Sequence, residues 1–212
     1  AGFVGRPKVT RYAVDFRGRI RGAADAAWMP FVAEQQSFAD EPTRLFLMRA
    51  RMFGMPVEAY HRLRDGHASM RVKALGAFPI VDARGDEMDV SEAVTLFNDM
   101  CILAPGTLID PSIVWESVDA RTARARFTNG RATIAATLSF DASGMLADFV
   151  SDDRSQASSD GKTFTPTRFS TPVRDYRAFG PYRLAGRGEA RWHPPEGVFT
   201  YGEFEMTRIR FE

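Results

Sequence analysis

A repeated alternation of apolar and polar residues restricts what this chain can fold into. In the segment YAVDFRGRI, Tyr12, Val14 and Phe16 fall on one face, whereas Asp15 and Arg17 fall on the other. The segments TARARF and TIAATLSF repeat the pattern. Because successive side chains of a β-strand point to opposite faces, the alternation predicts strands with one buried and one solvated face, which is typical of antiparallel sheets.

Turn dipeptides such as Asp65-Gly66, Asn129-Gly130 and Asp160-Gly161 separate these runs. They supply the positive φ angles that tight hairpins require. We therefore predict a mainly β chain, a curved antiparallel up-and-down half-barrel or barrel of about eleven strands, forming a single domain over residues 1–212. The predicted strands lie near 8–21, 28–38, 44–53, 56–64, 68–82, 113–118, 122–129, 131–141, 145–154, 164–184, with a break at Pro172, and 188–211, with a break at Pro194-Pro195.

The segment SEAVTLFNDMCILAPGTLID breaks the alternation and predicts one long helix over about residues 90–103, packed into the concave face of the sheet. Asp89 and Glu92 have the spacing of a capping box, and Pro105-Gly106 would end the helix. On a helical period the apolar face holds Val90, Ala93, Val94, Phe97, Met100, Cys101 and Ala104, and the polar stripe holds Ser91, Thr95, Asn98 and Asp99.

Cys101 is the only cysteine, so an intrachain disulfide is excluded. A reactive thiol needs an electropositive, accessible setting and a histidine partner. Cys101 instead falls on the apolar face of the helix, and we predict a core residue.

Several function classes lack their signatures. A net charge of +1 gives no electrostatic reason to expect nucleic acid, and no apolar run of membrane-spanning length occurs. Serine-hydrolase, Walker, dinucleotide-binding and HExxH motifs are missing, so the sequence predicts no cofactor and no metal. The start at Ala1 is compatible with removal of a signal peptide or anchor, which leaves the compartment open between the bacterial cell envelope or periplasm and the cytoplasm. Oligomeric state is open as well.

Some polar residues occupy alternate positions of a strand that are otherwise apolar, so we expect them on its buried face, where they could form an interior site. Glu34 and Gln36 alternate with Val32 and Phe38, and His61 alternates with Leu63. Glu203 is in phase with Tyr201 in the same way. Such groups could form structural ion pairs, contact a ligand, or act as a general acid and base.

Apolar residues on both faces of RLFLMRARMF, and methionines such as Met48, Met52, Met70 and Met206, suit an adaptable cavity. Our first hypothesis is a module that binds a lipid-like or other hydrophobic small molecule between sheet and helix. The alternatives are a hydrolase or isomerase that uses His61 and interior carboxylates, and an envelope-associated scaffold. No catalytic residue is assigned; the predicted ligand contacts are Glu34, Gln36, His61, Phe97, Met100, Trp115, Arg154, Tyr176, Trp192, Tyr201 and Glu203.

The ordered segments WMPFVAEQQSF, EAYHRLRDGHASM, VTLFNDMCILAPGTLI, DFVSDDR and GEARWHPPEGVFTYGEF resemble a bacterial protein family without an established reaction. The architecture resembles the half-barrel of outer-membrane lipoprotein carriers and receptors, which implies binding of acyl chains. Matching positions that could line a pocket are Glu34, Gln35, His61, Asn98, Asp99, Trp115, Asp152, Asp153, Arg154, Tyr176, Glu189, Trp192, Tyr201 and Glu203.

Overall fold

The computed structural model of the chain describes residues 8–212. Its first half is an antiparallel meander in which each strand pairs with the next. A short β-turn or loop joins each pair, as the turn dipeptides indicate. The six strands are β1 (Arg11–Ile20), β2 (Met29–Phe38), β3 (Thr43–Met52), β4 (Met55–Arg64), β5 (His67–Ala74) and β6 (Phe78–Arg84).

A helix, α1 (Asp86–Leu103), and one short 3-10 turn over Pro105–Leu108 lead from the first half to the second. The second half holds ten strands, of which β11 and β12 form a separate two-stranded sheet. These strands are β7 (Ile113–Asp119), β8 (Thr122–Asn129), β9 (Ala132–Phe140), β10 (Leu146–Ser151), β11 (Ser155–Ala157), β12 (Phe164–Pro166), β13 (Phe169–Ser170), β14 (Val173–Phe179), β15 (Tyr182–Trp192) and β16 (Phe199–Phe211).

One large antiparallel sheet contains the other fourteen strands. Its order is β6-β5-β4-β3-β2-β1-β16-β15-β13-β10-β9-β8-β7, with β14 beside β15. Strand β16 thus pairs with β1, the first strand of the described residues, and joins the two halves. The predicted fold class, a curved antiparallel half-barrel with one long helix, is confirmed.

The strand count exceeds the predicted eleven because three long runs are interrupted and because the short strand β11 lies outside the predicted runs. The run 68–82 is two strands that turn at Leu75-Gly76, a dipeptide whose leucine does not signal a turn. The run 164–184 is broken at Thr167–Arg168, at Gly180-Pro181 and at the predicted position near Pro172, where proline cannot donate to a strand ladder. The run 188–211 is broken at the predicted Pro194-Pro195, between β15 and β16.

The helix begins at Asp86, four residues earlier than predicted, directly after Gly85. Acidic Asp86 and Glu87 in its first turn suit the positive end of the helix dipole. The predicted capping box is wrong. Asp89 accepts a hydrogen bond from the Ala68 backbone N–H, and Glu92 turns toward the interior of the sheet.

The predicted apolar face of α1 packs on β8, β9 and β10. Phe97 stacks on Phe127 with ring centroids 5.2 Å apart and meets Phe149 at 5.8 Å. Cys101 is buried in the same core, which confirms the prediction, and burial raises the pKa of its thiol. The thiol is therefore protonated and packed.

One end of the half-barrel is closed by α1 and by two hairpin turns. Successive turns of the helix meet β5 through Asp89, β3 and β4 through Glu92, and β2 through Asp99. Beside them the Gly66 and Gly130 turns touch, since a Cβ built on Gly130 would lie 3.1 Å from the Cα atom of Gly66. Within the described chain, no helix is long and apolar enough to cross a membrane.

Candidate ligand-binding site

A cavity of about 410 Å³ lies between α1 and the concave face of the sheet. Its size is that of a small-molecule site. Gly22 and Ser159 line it and are exposed, so the cavity reaches the surface beside them, away from the end that α1 closes. Most of the lining is apolar and includes Phe16, Ile20, Phe46, Met48, Met70, Val81, Met88, Ile102, Phe164, Phe169, Val173, Trp192, Phe204 and Met206.

The polar stripe of α1 faces this cavity, and its central partner is Arg44 of β3. Arg44 Nε donates to Asp99 Oδ2 at 2.6 Å, and Nη1 donates to Glu92 Oε2 at 3.1 Å. The third contact of the guanidinium is Gln35 Oε1 at 3.2 Å. Because Arg44 is only 6% exposed, each of these charges depends on the others for its solvation.

Glu92 is shared between Arg44 and His61. His61 Nδ1 lies 2.9 Å from Glu92 Oε1, and since an ionised carboxylate only accepts, the ring nitrogen donates. Burial acts to raise the pKa of Glu92, but the charges of His61 and Arg44 outweigh it and lower the pKa to about 2. Glu92 is thus an ionised hydrogen-bond acceptor at neutral pH.

Arg154, in the connection after β10, also presents a guanidinium to the cavity. Its carbon lies 4.2 Å from the ring centroid of Phe169 and 5.0 Å from that of Trp192. Nη1 donates to the Tyr201 hydroxyl at 2.8 Å. In contrast to Arg44, Arg154 forms no ion pair with any described residue. Aromatic faces hold this cation in place without neutralising it.

Three buried polar atoms that line the cavity have no hydrogen-bond partner among residues 8–212. They are Asn98 Oδ1, Arg154 Nε and Thr171 Oγ1. Buried polar atoms are nearly always paired, with protein or with ordered water. A polar group inside the cavity could satisfy these atoms.

Four of the eleven predicted ligand contacts line the cavity: His61, Arg154, Trp192 and Tyr201. Trp192 and Tyr201 stack with centroids 5.4 Å apart. Gln35, Asn98 and Asp99, which the family resemblance implied as pocket positions, also line it. The remaining predicted contacts lie elsewhere.

The inward placement of Glu34 and Gln36 is wrong. In β2 the buried positions are Phe31, Ala33, Gln35 and Ser37, so Glu34 is exposed and pairs with Arg49, and Gln36 accepts from Arg11. Val32 is exposed on the outer face, and Arg11 stacks on Phe38 of the same face. Because apolar residues thus occur on both faces of β2, the sequence pattern does not show which face is buried.

Glu203 also lies outside the cavity, where it forms a two-pronged ion pair with Arg19 at 2.7 and 2.8 Å. The register between β15 and β16 shifts at Tyr201, because Ala190 pairs with Gly202 and Arg191 with Thr200. Such a bulge turns one residue against the alternation. Tyr201 can therefore line the cavity although Glu203 does not, and His61 does not meet Glu34 or Glu203 as the enzyme hypothesis would require.

The last four predicted contacts lie outside the cavity. Phe97 and Met100 belong to the core on the far side of α1. Trp115 is partly exposed on β7 and donates to the Leu108 carbonyl at 3.4 Å. Tyr176 donates to the Leu146 carbonyl at 2.9 Å, and burial raises its pKa to about 12.

Other acidic family positions form surface contacts. Asp152 pairs with Arg168, Glu189 pairs with Arg174, and Asp153 accepts from the Ala135 backbone. In the described part of the chain, no group of three or more His, Cys, Asp or Glu side chains could hold a metal ion.

Sequence reasoning missed Arg44, and only the family resemblance, through Asn98 and Asp99, pointed to the cavity-lining face of α1. Arg44 alternates in phase with Phe46 and Met48, which could have identified it as inward-facing. A polar stripe is ordinarily assigned to solvent. Here both faces of the helix are buried, and that is visible only with the sheet in place.

Comparison with solved structures supports the fold. The structure is similar to a domain assigned to outer-membrane lipoprotein sorting from Vibrio parahaemolyticus, at TM-score 0.50 and 9% identity over 95% of this chain and 85% of that chain. It is also similar to a DUF1329 family protein from Desulfovibrio piger, at TM-score 0.53 and 11% identity over 96% and 86% of the two chains. These likenesses confirm the predicted carrier-like half-barrel.

No curated protein matches the chain. A family model does match residues 1–204, which is nearly the whole sequence. The chain belongs to the family of unknown function DUF6544.

Proposed function

We propose that this protein binds an amphiphile, a molecule with an apolar tail and an acidic head group, in the cavity between sheet and helix. The observation that carries the proposal is Arg154, a cation in a mostly apolar cavity that forms no salt bridge with any described residue. The carboxylate whose charge it feels, Glu92, is already held by Arg44 and His61. The lipoprotein-sorting assignment of one structural relative is compatible with an apolar tail.

The apolar part of the cavity suits a flexible chain. Met48, Met70, Met88 and Met206 line it, and methionine adapts its shape to ligands better than branched residues do. Phe16, Ile20 and Phe204 are only half-buried although they face inward. A tail that covers them removes apolar surface from water, at about 25 cal/mol for each Å².

The polar part suits one acidic group. Both carboxylates that line the cavity, Glu92 and Asp99, already pair with Arg44, whereas the Nε–H donor of Arg154 has no partner among the described residues. Charge-assisted hydrogen bonds to a carboxylate or phosphate are about twice as strong as neutral ones.

The test compares three ligands with the same tail: dodecanoate, dodecanol and dodecylammonium. Titration calorimetry on delipidated protein should show dodecanoate binding about tenfold or more tighter than dodecanol. Arg154→Met should remove that difference and leave dodecanol binding intact. Arg168→Met is the matched control, because Arg168 pairs with Asp152 on the surface.

The outcomes separate the two parts of the proposal. Equal affinity for dodecanoate and dodecanol would overturn the acidic head group. Failure to bind any of the three, together with ligand-free protein in native mass spectrometry after gentle purification, would overturn the binding function itself.

A further inference from the structure

Apolar side chains protrude at the tips of two neighbouring hairpins. Phe53, in the β3–β4 turn, is 93% exposed, and Leu75 and Phe78, at the β5–β6 turn, are 53% and 65% exposed. The Leu75 N–H donates to the Pro56 carbonyl at 2.9 Å, which holds the two tips side by side. With Met55, these four residues form what we call the tip patch. Contiguous exposed apolar patches mark interaction sites.

The positive φ angles in both turns are unfavourable for the bulky residues Phe53 and Leu75. Phe53 and Gly54 have φ of 51° and 81°, and Leu75 and Gly76 have φ of 52° and 70°. Positive φ at both central residues favours Asn or Asp at the first position. The Asp65-Gly66 turn, at the opposite end of the same strands, has the same φ pattern and does carry Asp. A bulky residue in this region is a genuine outlier, and such strain points to function.

Unpaired cations flank the tip patch. Arg51 and Lys73 are exposed, and neither forms an ion pair with any residue that the structure describes. Protruding apolar groups beside unpaired cations match an anionic lipid surface, where the apolar groups enter the interface and the cations meet the head groups.

The tip patch lies at the same end of the sheet as the opening of the cavity. The end of β1 at Ile20 lies opposite the start of β2 at Met29. From β2 onward the register runs through Phe31, Ala50, Val57 and Ala74 on successive strands, so the ends of β1, β3 and β5 lie at the same end of the sheet. Ile20 and Gly22 line the cavity. A surface that contacts the tip patch would therefore lie next to the cavity opening.

We propose that the tip patch docks this protein on an anionic lipid surface, so that the cavity opening lies beside the bilayer. The docking goes beyond ligand binding and does not depend on it, since none of the tip residues lines the cavity.

The test is co-sedimentation with vesicles of phosphatidylcholine alone and of phosphatidylcholine and phosphatidylglycerol in equal parts. The double variant Phe53→Asn/Leu75→Asn should weaken partitioning to both vesicles about tenfold or more. Its melting temperature should be equal or higher, because Asn tolerates positive φ. Arg51→Gln and Lys73→Gln should each weaken binding about fivefold, and only to the anionic vesicles.

Ile109→Ser is the matched control, because Ile109 is 96% exposed but lies outside the tip patch, and its partitioning should not change. Wild-type protein that sediments with neither vesicle would overturn the proposal. So would unchanged sedimentation of the double variant. Self-association of the wild type that the double variant abolishes, without vesicle binding, would make the patch a protein interface instead. Dodecanoate affinity of the double variant, expected to equal that of the wild type, keeps docking separate from ligand binding.

Discussion

Single residues decide whether the polar stripe of α1 can be buried. Glu92 is 2% exposed and accepts from both Arg44 and His61, while Arg44 also neutralises Asp99. Removing one partner from such a network leaves another charge uncompensated, which costs far more than the loss of a surface pair. The network therefore fixes the helix on β2, β3 and β4 and lines the cavity with polar atoms.

Glu92→Gln should lower the free energy of unfolding by about 3–5 kcal/mol at pH 7. Since the pKa of Glu92 is lowered to about 2 from an ordinary value of 4.5, its contribution is complete above pH 4.5 and disappears as the pH falls toward 2. Urea titrations should thus show the variant and the wild type converging in acid. Glu58→Gln, at a surface pair with Arg49, is the control and should change little. A constant difference at all pH values would contradict the assignment.

At the scale of elements, contact between two hairpin turns helps to close the half-barrel. The β4–β5 turn belongs to the first half of the chain and the β8–β9 turn to the second, and they meet at Gly66 and Gly130. Both turns are recognisable in sequence as Asp-Gly and Asn-Gly. Their mutual contact follows only from the curvature of the sheet.

Gly130→Ala should destabilise the protein more than Gly144→Ala. Both glycines have positive φ, so both substitutions carry a backbone penalty of about 1 kcal/mol. Only at Gly130 would the new Cβ also press on backbone, 3.1 Å from the Cα atom of Gly66, whereas nothing lies within 4 Å at Gly144. Thermal denaturation of the two variants measures the difference. Equal losses would show that the turns do not support each other.

At the scale of the whole molecule, pairing of β1 with β16 joins the two halves into one sheet. Tyr12 lies opposite Phe211, and Ile20 lies opposite Gly202. The helix contacts strands of both halves, so neither half buries its concave face alone. The single domain over residues 1–212 stays a prediction from the sequence.

We expect one cooperative unfolding transition, because the helix and the β1–β16 ladder couple the two halves. In calorimetry, the measured and van't Hoff enthalpies should agree. Deletion of residues 199–212, which removes β16, should abolish the cooperative transition of both halves rather than of one. Two separate transitions in the intact chain, or a residual sharp transition in the truncated one, would contradict the prediction.

The sequence by itself determined the local elements. Alternation in β1, β8 and β9, the Asp-Gly and Asn-Gly turns, and the apolar face of α1 are properties of neighbouring residues, and local sterics and hydrophobic burial are enough to specify them. For the same reason the core position of Cys101 and the mainly β fold class were predictable.

Tertiary structure alone decided which polar groups meet. Gln35 rather than Gln36 faces inward, and the sequence does not reveal this because β2 carries apolar residues on both faces. Tyr201 faces inward because of a bulge. The polar stripe of α1 faces the cavity because Arg44, 48 residues before Glu92, neutralises it there. A buried charge is tolerated only beside its partner, and these partners, distant in sequence, come together only when α1 packs against β2, β3 and β4.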